Sequence, residues 1–419
     1  MSEPFTSYAH ALQLTLKSIS ALDSEIVPLL QAVGRVTASA LCAKVDSPSV
    51  DVSLKDGYAV RSADIARATA ASPVRLRLIG SIAAGDRFEG ESAPGTAIRI
   101  LSGAGIPKGA EAVLSEEFAD DDGFRVTATK DAEPGRNILR QGSDVRAGQM
   151  LIAAGVRLRP AQVGLLAAAG YDHVPVIRLP RVAVIATGDE VIAPGEKLSE
   201  GKLYASNLVT LAAWGALYGM PITVSVVRDD AELITNRLLE SVSVNDAIVT
   251  SGGAWTGERD LVPALLDRLG WHKIYHRVKM GPGKAIGFGL WRKKPVFCLP
   301  GGPPSNQMAF VQLALPGLLK LAGHSQPGLA EVTAKLAQSV EGQKDWTQFI
   351  EGRFLRTEDG ILFHPYRMVS RLQSMADAEG ILVIPEGTAA IPKETIVRVQ
   401  VLTWDAITNT IERKFDEPW

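Results

Sequence analysis

The sequence predicts a multidomain protein of α/β plus β class. A central doubly wound α/β domain is joined by an inserted small β domain and a C-terminal β-barrel-like domain. Strand and helix patterns alternate between residues 181 and 322, which is typical of a doubly wound sheet. Apolar residues recur with a period of two between 73 and 143, and a second β-rich stretch spans about 328–404. At 419 residues the chain is also too long for one ordinary domain.

The domain boundaries follow these changes of pattern. We predict a helical linker domain from residues 1–46 and 145–178, interrupted by the small β domain at 47–144. The α/β domain then spans 179–325 and the C-terminal β domain 326–419. Helical spacing predicts helices at 7–21, near 29–41 and at 160–169. We expect the third of these to pack against the N-terminal two.

Composition restricts the class of partner. Hydrophobic residues make up 46% and charged residues 21%, as in globular proteins that fold in water. The formal charge of -2 argues against a nucleic-acid partner or an anionic membrane surface. We find neither an apolar run of ~18 residues, as a membrane span needs, nor a signal peptide. Two cysteines suggest no disulfide framework, and we expect a cytoplasmic protein.

The stretch 246–260 organises the α/β domain. Its apolar run 247–249 predicts a buried strand that ends at Ser251-Gly252-Gly253, and helical spacing returns over 261–269. Ligands bind at the carboxyl ends of such strands in open α/β sheets. The loop offers backbone N–H groups and Ser251 to an anion, and it offers Glu258 and Asp260 to a cation.

Other strands of this domain end in similar loops. The run 182–186 ends in Thr187-Gly188-Asp189-Glu190, and 222–227 ends in Arg228-Asp229-Asp230. The last strand, 296–299, is followed by Pro300 and Gly301 and then by a helix to about 321. The helix at 205–218 has Ser206 or Asn207 as its predicted cap. Topology implies that these loops collect at one rim of the sheet.

Two other kinds of site receive no support. The six histidines have no metal-ligand spacing, so we assign no zinc. No serine has the histidine and aspartate pattern of a hydrolase triad. In the β domain, Asp51 and Asp56 lie beside Gly57, where a surface turn capped by aspartate is the ordinary interpretation.

With these loops in place, the chain resembles the molybdopterin molybdenumtransferase family (MoeA and the gephyrin E domain) over nearly its whole length. Any one of the matching motifs is weak evidence for the family, but their order and spacing together are specific. The matching pieces are Gly34-Arg35-Val36, Asp51 with 56–60, 99–103, 187–190, 228–230, 251–253 with Gly257 and Asp260, 282–284 and 299–301.

The resemblance implies a function. The family joins molybdate to the dithiolene of molybdopterin and releases AMP from the adenylylated pterin, with a divalent cation such as Mg²⁺ present. It also implies a molybdopterin-binding central domain, a homodimer formed partly by the linker domain with a site between chains, and a cofactor-accepting enzyme as a further partner.

The resemblance also implies roles for particular residues. Catalysis would fall to Asp51, Glu190, Asp229 and Asp260, the last three of which would also hold Mg²⁺ through carboxylate oxygens. The pterin and its phosphates would contact Thr187, Gly188, Asp189, Ser251, Gly252, Gly253, Trp255, Lys279, Lys284, Pro300, Gly301 and Ser305.

Several positions depart from the family pattern. Gly281 stands where the family has the first lysine of Lys-Pro-Gly-Lys, and Lys279 could substitute for it. The segment 345–349 lacks the arginine that the family carries before a phenylalanine. Both changes remove positive charge where a dianionic oxyanion would lie, so the pterin site is better preserved than the molybdate site. Trp255 replaces a small residue and would either pack in the core or stack on the pterin.

These departures leave two alternatives to an active enzyme. The protein could bind the pterin as a carrier or delivery factor without inserting metal. It could also be a dimeric scaffold that no longer binds pterin. The sequence does not choose between molybdate and tungstate.

Overall fold

The computed structural model describes residues 5–253, 261–358, 360–366 and 370–403. These residues form two compact units. One unit is built from described residues within 1–25, 34–38 and 176–419, and the other from 26–33 and 39–175.

The helices of the described residues are few and mostly short. A 3₁₀ turn occurs at Leu29–Gln31 and another at Glu116–Phe118, and a π-helical turn spans Phe310–Ala314. The α-helices are Tyr8–Ser18, Ser62–Ile65, Pro160–Ala168, Ser206–Leu217, Ala231–Val244, Leu261–Arg268, Pro303–Ala309, Leu315–Leu321 and Arg371–Asp377.

The α/β domain is a six-stranded sheet in the first unit. Four strands are parallel neighbours and the last two are antiparallel. In spatial order the strands are Ile222–Val227, Val182–Thr187, Ala247–Ser251, Lys294–Leu299, Gly287–Trp291 and His272–His276.

Helices cover both faces of this sheet. Val182 and Val184 pack into a core that includes residues of helix Ser206–Leu217 and of 308–321. Ala183 and Ile185 pack into a second core with helices Ala231–Val244 and Leu261–Arg268. A strand buried on both sides reads as a continuous apolar run, which explains the pattern at 182–186. The predicted doubly wound α/β class is confirmed.

The C-terminal domain is a closed five-stranded barrel, also in the first unit. Its strands are Glu331–Leu336, Thr347–Thr357, Gly360–Pro365, Gly380–Ile384 and Ile396–Val401. Thr347–Thr357 pairs with both Gly360–Pro365 and Gly380–Ile384, which closes the ring. The predicted β-barrel-like class is confirmed.

The barrel is tied to the rest of its unit by backbone pairing. Val278–Gly281, which follows strand His272–His276 in the sequence, pairs with Thr347–Thr357 on one side and with Thr6–Ser7 on the other. The N-terminal helix Tyr8–Ser18 buries Ala11 in the same core as helix Leu315–Leu321. Helix Pro160–Ala168 contacts the turn Leu29–Gln31 within the second unit, so our expectation that it packs against the N-terminal segment is confirmed for that turn.

The second unit contains the small β domain. Its sheet runs Ala112–Ser115, Gly57–Val60, Thr96–Ile100, Val74–Ile82, Arg125–Ala128 and Ala119–Asp121, in that spatial order. The remaining short strands of the described chain are Ser24–Pro28, Leu41–Cys42, Val52–Ser53, Ile138–Leu139, Met150–Ile152, His173–Ile177, Val191–Ile192, Leu203–Tyr204, Val340–Glu341 and Ala390–Ile391.

Two local predictions are wrong. The helix near 29–41 is only the 3₁₀ turn Leu29–Gln31, because Gly34 then takes a φ of 81° and ends the helical conformation. Neither Ser206 nor Asn207 caps the helix of the α/β domain. Both lie inside the helix, and Ala205 precedes it with no side-chain cap.

Cys42 and Cys298 do not form a disulfide with each other. Cys42 is exposed and Cys298 is buried. A helix with the length and apolar character of a membrane span is absent from the described residues.

Candidate functional site

The Ser-Gly-Gly loop turns sharply at the end of strand Ala247–Ser251. Gly252 and Gly253 have φ angles of 95° and 60°, a region that favours glycine. A Cβ on Gly252 would lie 2.5 Å from the carbonyl oxygen of Thr187, at the end of the neighbouring strand. The close approach of the two strand ends thus depends on a glycine here.

A third strand end meets the same loop. The Gly252 amide donates to the Leu299 carbonyl at 3.1 Å. A Cβ on Gly301 would lie 3.7 Å from the Gly252 Cα. The structure therefore brings together Thr187, 251–253, Pro300 and Gly301 at the carboxyl end of the sheet. We call this group the cradle.

Two asparagines join the parts of the cradle. Asn306 Nδ2 donates to Ser251 Oγ at 3.0 Å and to the Pro300 carbonyl at 2.8 Å. Asn207 Nδ2 lies 3.3 Å from Ser251 Oγ and 2.8 Å from the Gly301 carbonyl. Asn207 lies inside helix Ser206–Leu217, and its amide contacts the cradle instead of capping that helix. Neither asparagine is among the site residues predicted from the sequence.

The hydroxyl of Thr187 faces the glycine loop. Thr187 is only 4% exposed, and its Oγ1 has no hydrogen-bond partner in the part of the chain that the structure describes. A Cβ on Gly253 would lie 3.2 Å from this oxygen. Buried hydroxyls normally have a partner, so this one is available to a ligand over the loop.

Acidic residues follow two neighbouring strands of the sheet, with Asp189 and Glu190 after Val182–Thr187 and Asp229 after Ile222–Val227. A Cβ on Gly188 would lie 2.8 Å from Glu190 Oε2, so the Glu190 carboxylate lies over the glycine that follows Thr187. Asp189 Oδ1 is 3.4 Å from both Arg228 Nε and the Asp229 amide, and Lys202 donates to the Asp189 carbonyl. Asp189 therefore links its loop to the neighbouring strand end.

The contacts described above do not bring the predicted magnesium ligands together. Within the described ranges, no three histidine, cysteine or acidic side chains lie close enough to hold a metal ion. The third predicted ligand, Asp260, and the predicted stacking residue Trp255 lie outside the described residues, as does Glu258. Carboxylates at Glu190 and Asp229 fit Mg²⁺, which binds through one or two carboxylates together with substrate phosphates and water.

The predicted lysines lie in and after strand Val278–Gly281. Lys279 is half-buried within the strand and Lys284 is exposed. Between them, a Cβ on Gly283 would lie 3.4 Å from the Ser305 carbonyl and 3.3 Å from the Ala309 amide. This loop is therefore packed against the helix Pro303–Ala309, so Ser305 and Gly283 are neighbours.

Asp51 lies in the second unit and is held as an anion. Its carboxylate accepts from the Gln141 amide at 2.8 Å and from Arg140 Nη1 at 2.5 Å. The hydrogen bond from Gln141, together with Arg140, lowers the pKa of Asp51 despite its partial burial. Arg140 is a further charged neighbour that the sequence analysis did not assign, because its partner is 89 residues away.

Family models match three consecutive parts of the chain. Residues 6–170 match the MoeA N-terminal region (domain I and II), 183–320 a probable molybdopterin binding domain, and 333–402 the MoeA C-terminal region (domain IV).

Curated relatives match most of the chain. The molybdopterin molybdenumtransferase of Bacillus subtilis is 30% identical, and the match covers 91% of this chain and 90% of the relative. Molybdopterin molybdenumtransferase 2 of Mycobacterium tuberculosis is 33% identical, over 90% and 95% respectively. The chain belongs to the molybdopterin molybdenumtransferase family. This confirms the resemblance that the sequence motifs indicate.

A solved structure supports the same assignment. The molybdopterin biosynthesis MoeA protein from Pyrococcus horikosii superimposes with a TM-score of 0.81 at 32% identity, over 96% of this chain and all of that one. Every described cradle residue lies inside the segment 183–320 that matches the molybdopterin binding domain of the family, whereas Asp51 lies in the N-terminal match.

Proposed function

We propose that this protein inserts molybdate into adenylylated molybdopterin and releases AMP. Family membership supports a transferase of molybdenum cofactor biosynthesis. The observation that carries the proposal is the cradle, in which three strand ends place Thr187, Ser251 and Gly301 around one glycine loop. A loop of this kind suits a phosphorylated ligand, because the hydroxyls of Thr187 and Ser251 can donate to phosphate oxygens.

Specific residues would perform the steps. The glycine loop and Lys284 would hold the phosphates, and Lys279 and Ser305 would be further contacts to the pterin or its phosphates. Glu190, Asp229 and Asp260 would hold Mg²⁺, which would neutralise charge that develops on the leaving AMP phosphate. Asp51, held as an anion beside Arg140, is the fourth proposed catalytic residue. We further propose a homodimer in the cytoplasm that passes its product to a cofactor-accepting enzyme.

An AMP-release assay tests this proposal. Purified protein is incubated with adenylylated molybdopterin and Mg²⁺, with molybdate, with tungstate or with neither, and AMP is measured. We expect AMP release that depends on the oxyanion. Pterin binding without AMP release under any oxyanion would instead indicate a carrier, and a dimer that binds no pterin would indicate a scaffold.

The variant Glu190→Gln separates catalysis from binding. If Glu190 holds the metal, the amide should lower the rate of AMP release at least ~10-fold while pterin affinity changes little. Glu196→Gln is the matched control, because Glu196 is exposed and lies six residues further along the same segment. Equal rates for the two variants would remove Glu190 from the mechanism.

A further inference from the structure

The two asparagine amides of the cradle have a fixed orientation. The carbonyl oxygens of Pro300 and Gly301 can only accept hydrogen bonds, and each lies 2.8 Å from an asparagine Nδ2. Rotating either amide by half a turn would place its Oδ1 against a carbonyl oxygen, which is a repulsive contact between two acceptors. The NH₂ groups of Asn207 and Asn306 must therefore face these carbonyls.

This orientation determines the hydrogen bonding of Ser251. Each NH₂ group has a second hydrogen, and the same nitrogens lie 3.3 and 3.0 Å from Ser251 Oγ. A serine hydroxyl has two acceptor lone pairs and one hydrogen to donate. With Asn207 and Asn306 both donating to it, the Ser251 hydroxyl cannot donate to either of them. Its hydrogen is left for another acceptor, and Ser251 is only 4% exposed.

We infer that Asn207 and Asn306 are positioning residues that make Ser251 an obligatory hydrogen-bond donor to the ligand. The ligand atom over Ser251 must then be an acceptor, such as a phosphate oxygen or a ring carbonyl, and not an amine. Thr187 Oγ1, which is buried beside Gly253, is a second hydroxyl at the same loop. The identity of the ligand rests on the proposed function, whereas the direction of the hydroxyl rests on the geometry alone.

Substitution to aspartate tests the inference in binding. A carboxylate at position 207 or 306 would accept the Ser251 hydrogen and withdraw it from the ligand. We expect Asn207→Asp and Asn306→Asp each to weaken binding of adenylylated molybdopterin about 10-fold or more, measured by titration calorimetry without molybdate. Asn207 is half-buried, so its variant keeps the test usable if Asn306→Asp fails to fold.

A double-mutant cycle excludes a merely structural effect. Ser251→Ala removes the same donor, so Ser251→Ala combined with Asn207→Asp should bind about as weakly as Ser251→Ala alone. If the loss of affinity in the double variant equals the product of the two single losses, the inference is overturned. Asn245→Asp is the matched control, because Asn245 is a buried asparagine that donates to the Ser241 carbonyl before the start of the same strand. It should leave pterin affinity unchanged.

Neutron diffraction separates this inference from the proposed function. If the unmodified protein binds no adenylylated molybdopterin, the proposed function fails, but the hydroxyl direction can still be read from a deuterated crystal. We expect deuterium on both asparagine nitrogens towards Ser251, and the Ser251 deuteron directed away from both. A Ser251 deuteron that points to either asparagine would overturn the inference whatever the ligand.

Discussion

Gly252 is the most constrained residue of the cradle. Its positive φ disfavours any side chain, and a Cβ would clash with the Thr187 carbonyl oxygen, which would lie 2.5 Å away. The Ser-Gly-Gly motif could be recognised from the sequence because glycine after a buried strand is a local signal. The contacts of Asn207 and the contact of Asn306 with Ser251 could not, since they join residues 44 to 94 positions apart.

We predict that Gly252→Ala lowers both stability and pterin binding. The backbone strain and the close contact together should cost about 2–4 kcal/mol in the free energy of unfolding, measured with urea. Gly270→Ala is the control, because Gly270 also has a positive φ but no atom within 4 Å of its would-be Cβ. It should cost only about 1–2 kcal/mol and leave pterin binding intact. Equal losses of stability for Gly252→Ala and Gly270→Ala would show that the contact with the Thr187 carbonyl does not matter.

The Asp246 carboxylate should contribute a pH-dependent part of the stability. Burial alone would raise its pKa, but hydrogen bonds from Arg178 at 2.7 and 3.0 Å and from the Arg181 amide outweigh burial, and the pKa is lowered from its ordinary value of 3.8. A lowered pKa stabilises the folded state above 3.8, and the contribution is lost as the pH falls through the still lower folded value.

We therefore expect Asp246→Asn to lower the free energy of unfolding by about 2 kcal/mol near neutral pH. The difference from the unmodified protein should shrink as the pH falls below 3.8. Asp23→Asn is the control, because Asp23 pairs with the same arginine but its side chain is 77% exposed, so its effect should be far smaller. A difference that is constant with pH would contradict this account.

At the scale of elements, a partly buried pair of glutamine amides joins three parts of the first unit. Gln312 lies in the π-helical turn and is 2% exposed. Gln312 Oε1 accepts a hydrogen bond from the Tyr8 hydroxyl of the N-terminal helix at 3.1 Å. Gln312 Nε2 donates to Gln400 Oε1 of the barrel at 2.6 Å. Gln400 donates back at 3.3 Å. Periodicity predicted most strands and helices here, but it could not reveal this contact or the strand Gly360–Pro365.

We predict that Gln312→Leu lowers the free energy of unfolding by about 2–3 kcal/mol, because the Tyr8 hydroxyl and the Gln400 amide would both lose their buried partner. Urea unfolding measures the change. Gln326→Leu makes the same substitution at an exposed position and should have little effect. Similar losses for both variants would show that the amide pair does not stabilise the unit.

At the scale of the whole molecule, exposed apolar side chains support the proposed dimer. Ile26 is 74%, Leu30 93% and Val33 49% exposed, and all three lie within the predicted dimerisation segment 1–46. Large apolar side chains left exposed in one chain are candidates for burial against a second chain. Only the family resemblance indicated that residues 1–46 contribute to a dimer. Burial against a second chain cannot be recognised from the local periodicity of the sequence.

We predict that the purified protein has twice the mass of one chain by light scattering. Leu30→Glu should shift it towards the monomer, since a charge would be buried in the interface. Phe124→Glu is the control, because Phe124 is 81% exposed but lies in the small β domain. A monomeric starting protein, or a dimer that Leu30→Glu leaves intact, would contradict this assignment.

We propose that three strand ends of the α/β sheet form one site for a phosphorylated pterin. The most direct measurement is a crystal structure of the protein with adenylylated molybdopterin. We predict that a phosphate or ring acceptor lies within hydrogen-bonding distance of Ser251 Oγ and Thr187 Oγ1, over Gly252 and Gly253. Pterin bound away from these residues, or no pterin in a crystal that leaves the loop open to solvent, would contradict the account.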